Sequence, residues 1–198
     1  MKKCPIFGER KQEMVNFEIK TGIILLAEPF MMDPNFRRTA LLLCEHSTHG
    51  SLGFVLNRPT NSRIDELIDD FPEFNCPVFW GGPVQTDTLH YLHLAGDLLT
   101  DSIQVADGVY WGGEFEELRF LVRSGLILPD QIRFFLGYSG WDEGQLLDET
   151  ASGSWVPAEM HPNYLFKSQP EMLWQQVMYN KGDSFSVIAS IPDGVDWN

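Results

Sequence analysis

The chain has 198 residues, 43% of them hydrophobic and 13% aromatic, with a formal net charge of −14. This length suits one domain, the apolar fraction is too high for a disordered chain, and a core of this size needs neither disulfides nor a structural metal. Charge is uneven: residues 1–63 carry nine Lys/Arg against six acids and residues 64–198 carry five against 22, so only the first third offers a basic face to nucleic acid or an anionic membrane.

The basic start Met1-Lys2-Lys3 is followed by Glu9-Arg10-Lys11-Gln12-Glu13 instead of an apolar stretch. Residues 1–16 therefore read as a flexible extension and not as an export signal, with Cys4 no lipidation site and residues 17–198 forming the domain. Three cysteines without close spacing (Cys4, Cys44, Cys76) are no disulfide framework and place the protein in the cytoplasm. No apolar run approaches the length of a membrane span.

Gly22–Ala27, Thr39–Glu45 and Leu52–Asn57 read as strands, and the short polar turn His46–Gly50 makes the last two an antiparallel pair. Ile64, Leu67 and Ile68 mark a short helix capped by Asn61 or Ser62. Pro77–Trp80, Leu89–Leu94 and Ile103–Trp111 follow as strands, then a helix over Glu114–Ser124 stopped by Gly125. Ile132–Tyr138 is an aromatic strand, Gly144–Thr150 helical, Trp155-Val156 extended, and Pro170–Asn180 a helix with Pro at its start. A last strand is expected over 184–191. The order does not alternate β-α-β, which predicts an α+β fold with mostly antiparallel sheet.

Several constellations bear on chemistry. Cys44, His46 and His49 offer three metal ligands, the first two alternating onto one strand face, but nothing nearby supplies a fourth. They read as a buried thiol and turn imidazoles, and His90 and His93, three apart on a strand, point to opposite faces. Gly137-Tyr138-Ser139-Gly140-Trp141 has the strand-to-helix context of a nucleophile elbow, with His161 downstream as a base, but Trp141 stands where the turn needs glycine. Gly81-Gly82-Pro83 and Gly112-Gly113-Glu114 are glycine-rich strand exits that Pro83 and the acids Glu114, Glu116 and Glu117 make poor phosphate cradles. No metal and no cofactor is expected. Cys76, in a loop before Pro77, is the more exposed thiol. Trp80, Trp111 and Trp141 each lie at a strand end beside glycine, where clustering would make a binding surface.

The words Ala27-Glu28-Pro29, Met32-Asp33-Pro34-Asn35-Phe36-Arg37-Arg38-Thr39, Glu45-His46, Gly53-Phe54-Val55-Leu56-Asn57-Arg58-Pro59, Gly81-Gly82-Pro83-Val84 and Gly137-Tyr138-Ser139-Gly140-Trp141 occur in that order. With them the chain resembles the AlgH/YqgE-like family of bacterial proteins from about Phe17 to Asn180. The resemblance implies a complex α+β fold of coiled, branching and mostly antiparallel β-sheets flanked by short helices. It also implies a transcriptional-regulator label, and it brings no catalytic residues and no cofactor. Relatives commonly carry Ala at Ser139 and Gly-Pro at Asp142-Glu143. The expected function is a non-enzymatic binding or regulatory module acting through a protein partner, without direct nucleic-acid or membrane binding. The expected surface uses Arg37, Arg38, His46, Asn57 and Arg58; the alternative is a small hydrolase or transferase using Ser139 with His161.

Overall fold

The run Ile23-Ile24-Leu25-Leu26-Ala27 has no polar position to turn toward water, so it forms a strand buried on both faces, β1 (Ile23–Ala27). The computed structural model describes residues 17–182 together with Phe185 and Ser190. The expected extension 1–16 with Cys4 lies outside the described residues, as does the strand expected over 184–191 apart from Phe185 and Ser190.

β1 pairs antiparallel with β2 (Ala40–Ser47), and β2 returns through a tight hairpin as β3 (Gly50–Val55). The chain continues through β4 (Pro59–Arg63), α1 (Ile64–Leu67), β5 (Pro77–Trp80), β6 (Val84–His93), β7 (Ile103–Ala106) and β8 (Val109–Trp111). Then come α2 (Phe115–Arg123), β9 (Ile132–Asp142), α3 (Gln145–Ser152), β10 (Trp155–Glu159), α4 (Pro162–Phe166) and α5 (Pro170–Asn180).

The fold is α+β. Its strands follow the order β10-β1-β2-β3-β9-β6-β8-β7, with β4 and β5 off this path. Every pairing is antiparallel except β5 on β9. The sheet branches at β9, the longest strand: its first half lies between β5 and β6, and its last four residues pair with β3. The change of partner centres on Gly137, at φ +68°, where a Cβ would stand 2.7 Å from the carbonyl oxygens of Gly82 and Val84. A Cβ at Gly82 would stand closer still to the Tyr138 backbone. Gly81-Gly82 thus serves a crossing of backbones that no side chain would permit.

Three elements differ from the sequence reading. The expected strand 103–111 is a hairpin, β7 and β8, folded at Asp107-Gly108 with Gly108 at φ +65°. Pro59–Arg63 is an edge strand, so α1 is capped at Arg63 and not at Asn61 or Ser62. α4 is an additional single turn before α5.

The core has three parts. One face of β1–β3, with Ile24, Leu26, Leu42 and Phe54, lies beneath Leu173, Trp174, Val177 and Met178 of α5. The opposite face, with Ile23, Leu25, Leu41 and Val55, packs on Trp141, Trp155 and Leu146 of α3. A third cluster joins Phe134 of β9 and Val78 of β5 to Leu118, Leu121 and Val122 of α2. Burying each large apolar side chain contributes about 1.5–3 kcal/mol, which makes this two-sided burial the main hold on the β2–β3 hairpin. Among the described residues no helix is long and apolar enough to cross a membrane.

Candidate functional site

The hairpin of β2 and β3 has two polar ends. At the first, Asp33 accepts from the Asn35 amide at 2.8 Å and forms the turn entering β2. The chain then takes a left-handed step at Arg38, φ +52°, unusual for a residue with a side chain. Asn57, two residues past the end of β3, holds that step: its Nδ2 donates to the Arg38 carbonyl at 2.9 Å and its Oδ1 accepts from the Ala40 amide at 3.0 Å. Arg58 Nη2 donates to the carbonyls of Arg37 at 2.8 Å and Pro34 at 3.3 Å. The Arg38 guanidinium lies 4.9 Å over the Trp174 ring, tying the turn to α5. Just before this corner in the chain Met32 is 91% and Phe30 55% exposed.

At the second end the ladder contains a bulge between Leu43 and Glu45. The extra residue, Cys44, stays with Leu42 in the core under α5, and His46 pairs with Ser51 across the hairpin. The same register continues to Trp141 of β9, which belongs to the opposite core face. The bulge therefore separates Cys44 from His46, which simple alternation puts on one face. His46 Nδ1 and Ser51 Oγ are 2.7 Å apart. Both line an open groove of about 420 Å³ whose far wall carries Asp142, Glu143, Leu146 and Leu147. Glu149 fixes that wall by accepting from the indole N–H groups of Trp141 at 2.9 Å and Trp155 at 2.8 Å.

The five residues expected to share one surface thus divide. Arg37, Arg38, Asn57 and Arg58 form the corner, whereas His46 lies at the other end of an eight-residue strand, roughly 20 Å or more away. Ser139 is not on an elbow: β9 runs on past it, and its buried hydroxyl donates to the Gly81 carbonyl at 3.2 Å. His161 is exposed at the start of α4, its Nδ1 accepting from the Asn163 amide at 3.2 Å. No hydrogen bond joins Ser139 and His161. Among the described residues no group of three or more His, Cys, Asp or Glu is placed to hold a metal ion.

Cys76 is buried, not exposed, with its thiol against the Ile132 and Pro129 carbonyls, and burial pushes it up to about 12. Burial raises the Cys44 thiol as well, so both are poor nucleophiles. Two of the three tryptophans share one core cluster, Trp80 reaching Trp141 through Phe36 and Trp155, whereas Trp111 packs in another against Phe54 and His90, so they form no single exposed surface. Sequence reasoning missed Ser51, Glu149 and Arg133. Arg133 is 8% exposed, donates to the Leu56 carbonyl at 2.8 Å and lies 4.2 Å over Phe79, and burial lowers it to about 10.

Comparison with known proteins places this arrangement. Residues 24–186 match the model of the AlgH-like family (DUF179). A UPF0301 protein of Chlorobaculum parvum is 42% identical over 175 residues, covering 88% of this chain and 94% of that protein. One of Chlorobium luteolum is 42% identical over 188 residues, covering 95% and 96%. Among solved structures, the AlgH protein of Pseudomonas aeruginosa superposes with a TM-score of 0.69 at 28% identity over 89% of this chain and 98% of its own. A Corynebacterium diphtheriae protein at 21% identity shares the fold, with a TM-score of 0.73 over 88% of this chain and 94% of its own. The architecture is therefore that of a shared fold, and the chain belongs to the AlgH-like family.

Proposed function

We propose that the protein is a cytoplasmic binding module that acts in regulation through a protein partner docked at the arginine corner. The observation that carries this reading is the exposure of Met32 (91%) and Phe30 (55%) directly before the turn Pro34–Arg38, whose carbonyls Asn57 and Arg58 hold. Large apolar side chains exposed beside a held turn are the kind that anchor a protein interface when a partner buries them. Arg37 and Arg58 beside them favour a partner segment that mixes apolar and acidic residues. On a chain of net charge −14, this is the part that does not repel such a segment. A role in transcription then runs through a protein and not through DNA.

The test places a photo-crosslinking amino acid at position 32 in the native cell and, as a control, at position 128, where Leu128 is also exposed. Position 32 is expected to give a discrete, nuclease-resistant protein adduct that Arg37→Glu weakens. Identical patterns from the two positions would overturn the reading.

A further inference from the structure

We propose that His46 and Ser51 are a base and nucleophile for acyl transfer, and that the groove they line takes small neutral or cationic carboxylic esters. A serine is activated when a base lies within hydrogen-bond reach, and the 2.7 Å between His46 Nδ1 and Ser51 Oγ meets that requirement. The pair is cross-strand, so the ladder of β2 and β3 fixes its geometry. Unlike the buried Ser139, both side chains are partly exposed and open into a groove of about 420 Å³, a volume suited to a small ligand. Leu146 and Leu147 provide apolar wall for an acyl group, and the exposed carboxylates Asp142 and Glu143 disfavour an anionic substrate. The N-cap of α3 is Gly144, which has no side chain to satisfy the first-turn amides. Amides of that kind, at the rim of the same groove, are the donors that a developing oxyanion requires.

The step balances within the protein and substrate. Ser51 Oγ attacks the ester carbonyl carbon while its proton passes to His46 Nδ1, and the carbonyl π electrons move to the oxygen. Collapse breaks the bond to the alcohol oxygen, which takes the proton from His46 and departs. Water then attacks the acyl-serine, giving a proton to His46; the second collapse frees the acid and returns that proton to Ser51.

The experiment uses the full chain with a fluorophosphonate probe, mapping the adduct by mass spectrometry, and with p-nitrophenyl acetate for turnover. One adduct on Ser51 is expected, together with hydrolysis that Ser51→Ala abolishes. His46→Gln slows labelling by about 100-fold or more, the usual share of a general base. His161→Gln leaves both unchanged. Absence of a Ser51 adduct on the folded wild-type protein would overturn the proposal whatever the variants do. So would hydrolysis that survives Ser51→Ala, or labelling at the wild-type rate in a folded His46→Gln protein.

Discussion

The two ends of the β2–β3 hairpin are made from the same strands but spend their polar groups differently. At the corner, Asn57 and Arg58 donate to backbone carbonyls and Asn57 also accepts from a backbone amide, so side chains fix the path of the chain. At the groove, His46 and Ser51 bond to each other, and the backbone is already fixed by pairing with β9. Polar residues that hold a turn are not free to do chemistry, whereas polar residues on a turn held by the sheet remain available. That difference supports the two proposals, docking at one end and chemistry at the other.

The comparison breaks most severely at Glu149. Its carboxylate accepts from both Trp141 and Trp155 and fastens α3 against the groove. Glu149→Ala leaves two indole N–H groups without an acceptor, and hydrogen bonds to charged groups contribute about 1.5–3 kcal/mol each. A loss of about 3–4 kcal/mol is expected in urea unfolding, with Ser51 labelling reduced even where the variant remains folded. A loss below about 1 kcal/mol would mean that the groove wall stands without this clamp.

Next comes Asn57→Ala, which tests the corner. It removes the acceptor of the Ala40 amide and the donor to the Arg38 carbonyl, while Ala40 is buried. About 2 kcal/mol is expected, the cost of leaving a buried amide unsatisfied. Ser51 labelling at the opposite end of the hairpin should persist. If labelling falls in proportion to stability, the two ends are one cooperative unit and the division fails.

These two residues also show what the sequence discloses. The apolar runs of β1, β2 and β3 announce buried strands, and Pro170 with Gly182 brackets α5 correctly. The pairing of His46 with Ser51 was hidden by placing the turn at His46–Gly50, where the hairpin turns more tightly at Ser47–Gly50. A short shift of that kind changes which side chains face each other across a ladder. The bulge at Cys44 was hidden as well, since its sequence is an unbroken alternation-compatible run, and it reverses which face His46 occupies. The β7–β8 turn, by contrast, was legible in Asp107-Gly108, a hairpin dipeptide inside a run read as one strand. Glu149 was not legible: its partners are two tryptophans on different strands, brought together only by packing.

A pH series isolates stability that belongs to neither end. His93 is buried, with Nε2 donating to the Gly112 carbonyl at 2.8 Å and Nδ1 accepting from the Ala95 amide at 3.1 Å. Burial lowers it, and it lowers His90 also. A base lowered on folding binds fewer protons in the folded chain than in the unfolded one between the two pKa values. Its contribution is therefore complete above the ordinary histidine value of about 6.5 and declines as pH falls through that window. The urea midpoint should drop between pH 7.5 and 5.5, and His93→Gln should shrink the drop. An unchanged slope would assign the acid sensitivity to other groups.

The smallest effect on stability is the one that bears most on docking. Met32 is 91% exposed, and substitutions of such side chains usually change stability by no more than about 0.5 kcal/mol. Met32→Ala should therefore leave the urea midpoint and Ser51 labelling as they are. An interface anchor behaves otherwise toward its partner, since truncating a central apolar side chain commonly costs about 2 kcal/mol of binding, or roughly thirtyfold in affinity. The partner captured through position 32 should consequently bind Met32→Ala far more weakly than the wild type, while Leu128→Ala binds normally. Equal binding by both variants would reduce the exposed methionine to an ordinary surface residue, and the corner to a device for turning the chain into β2.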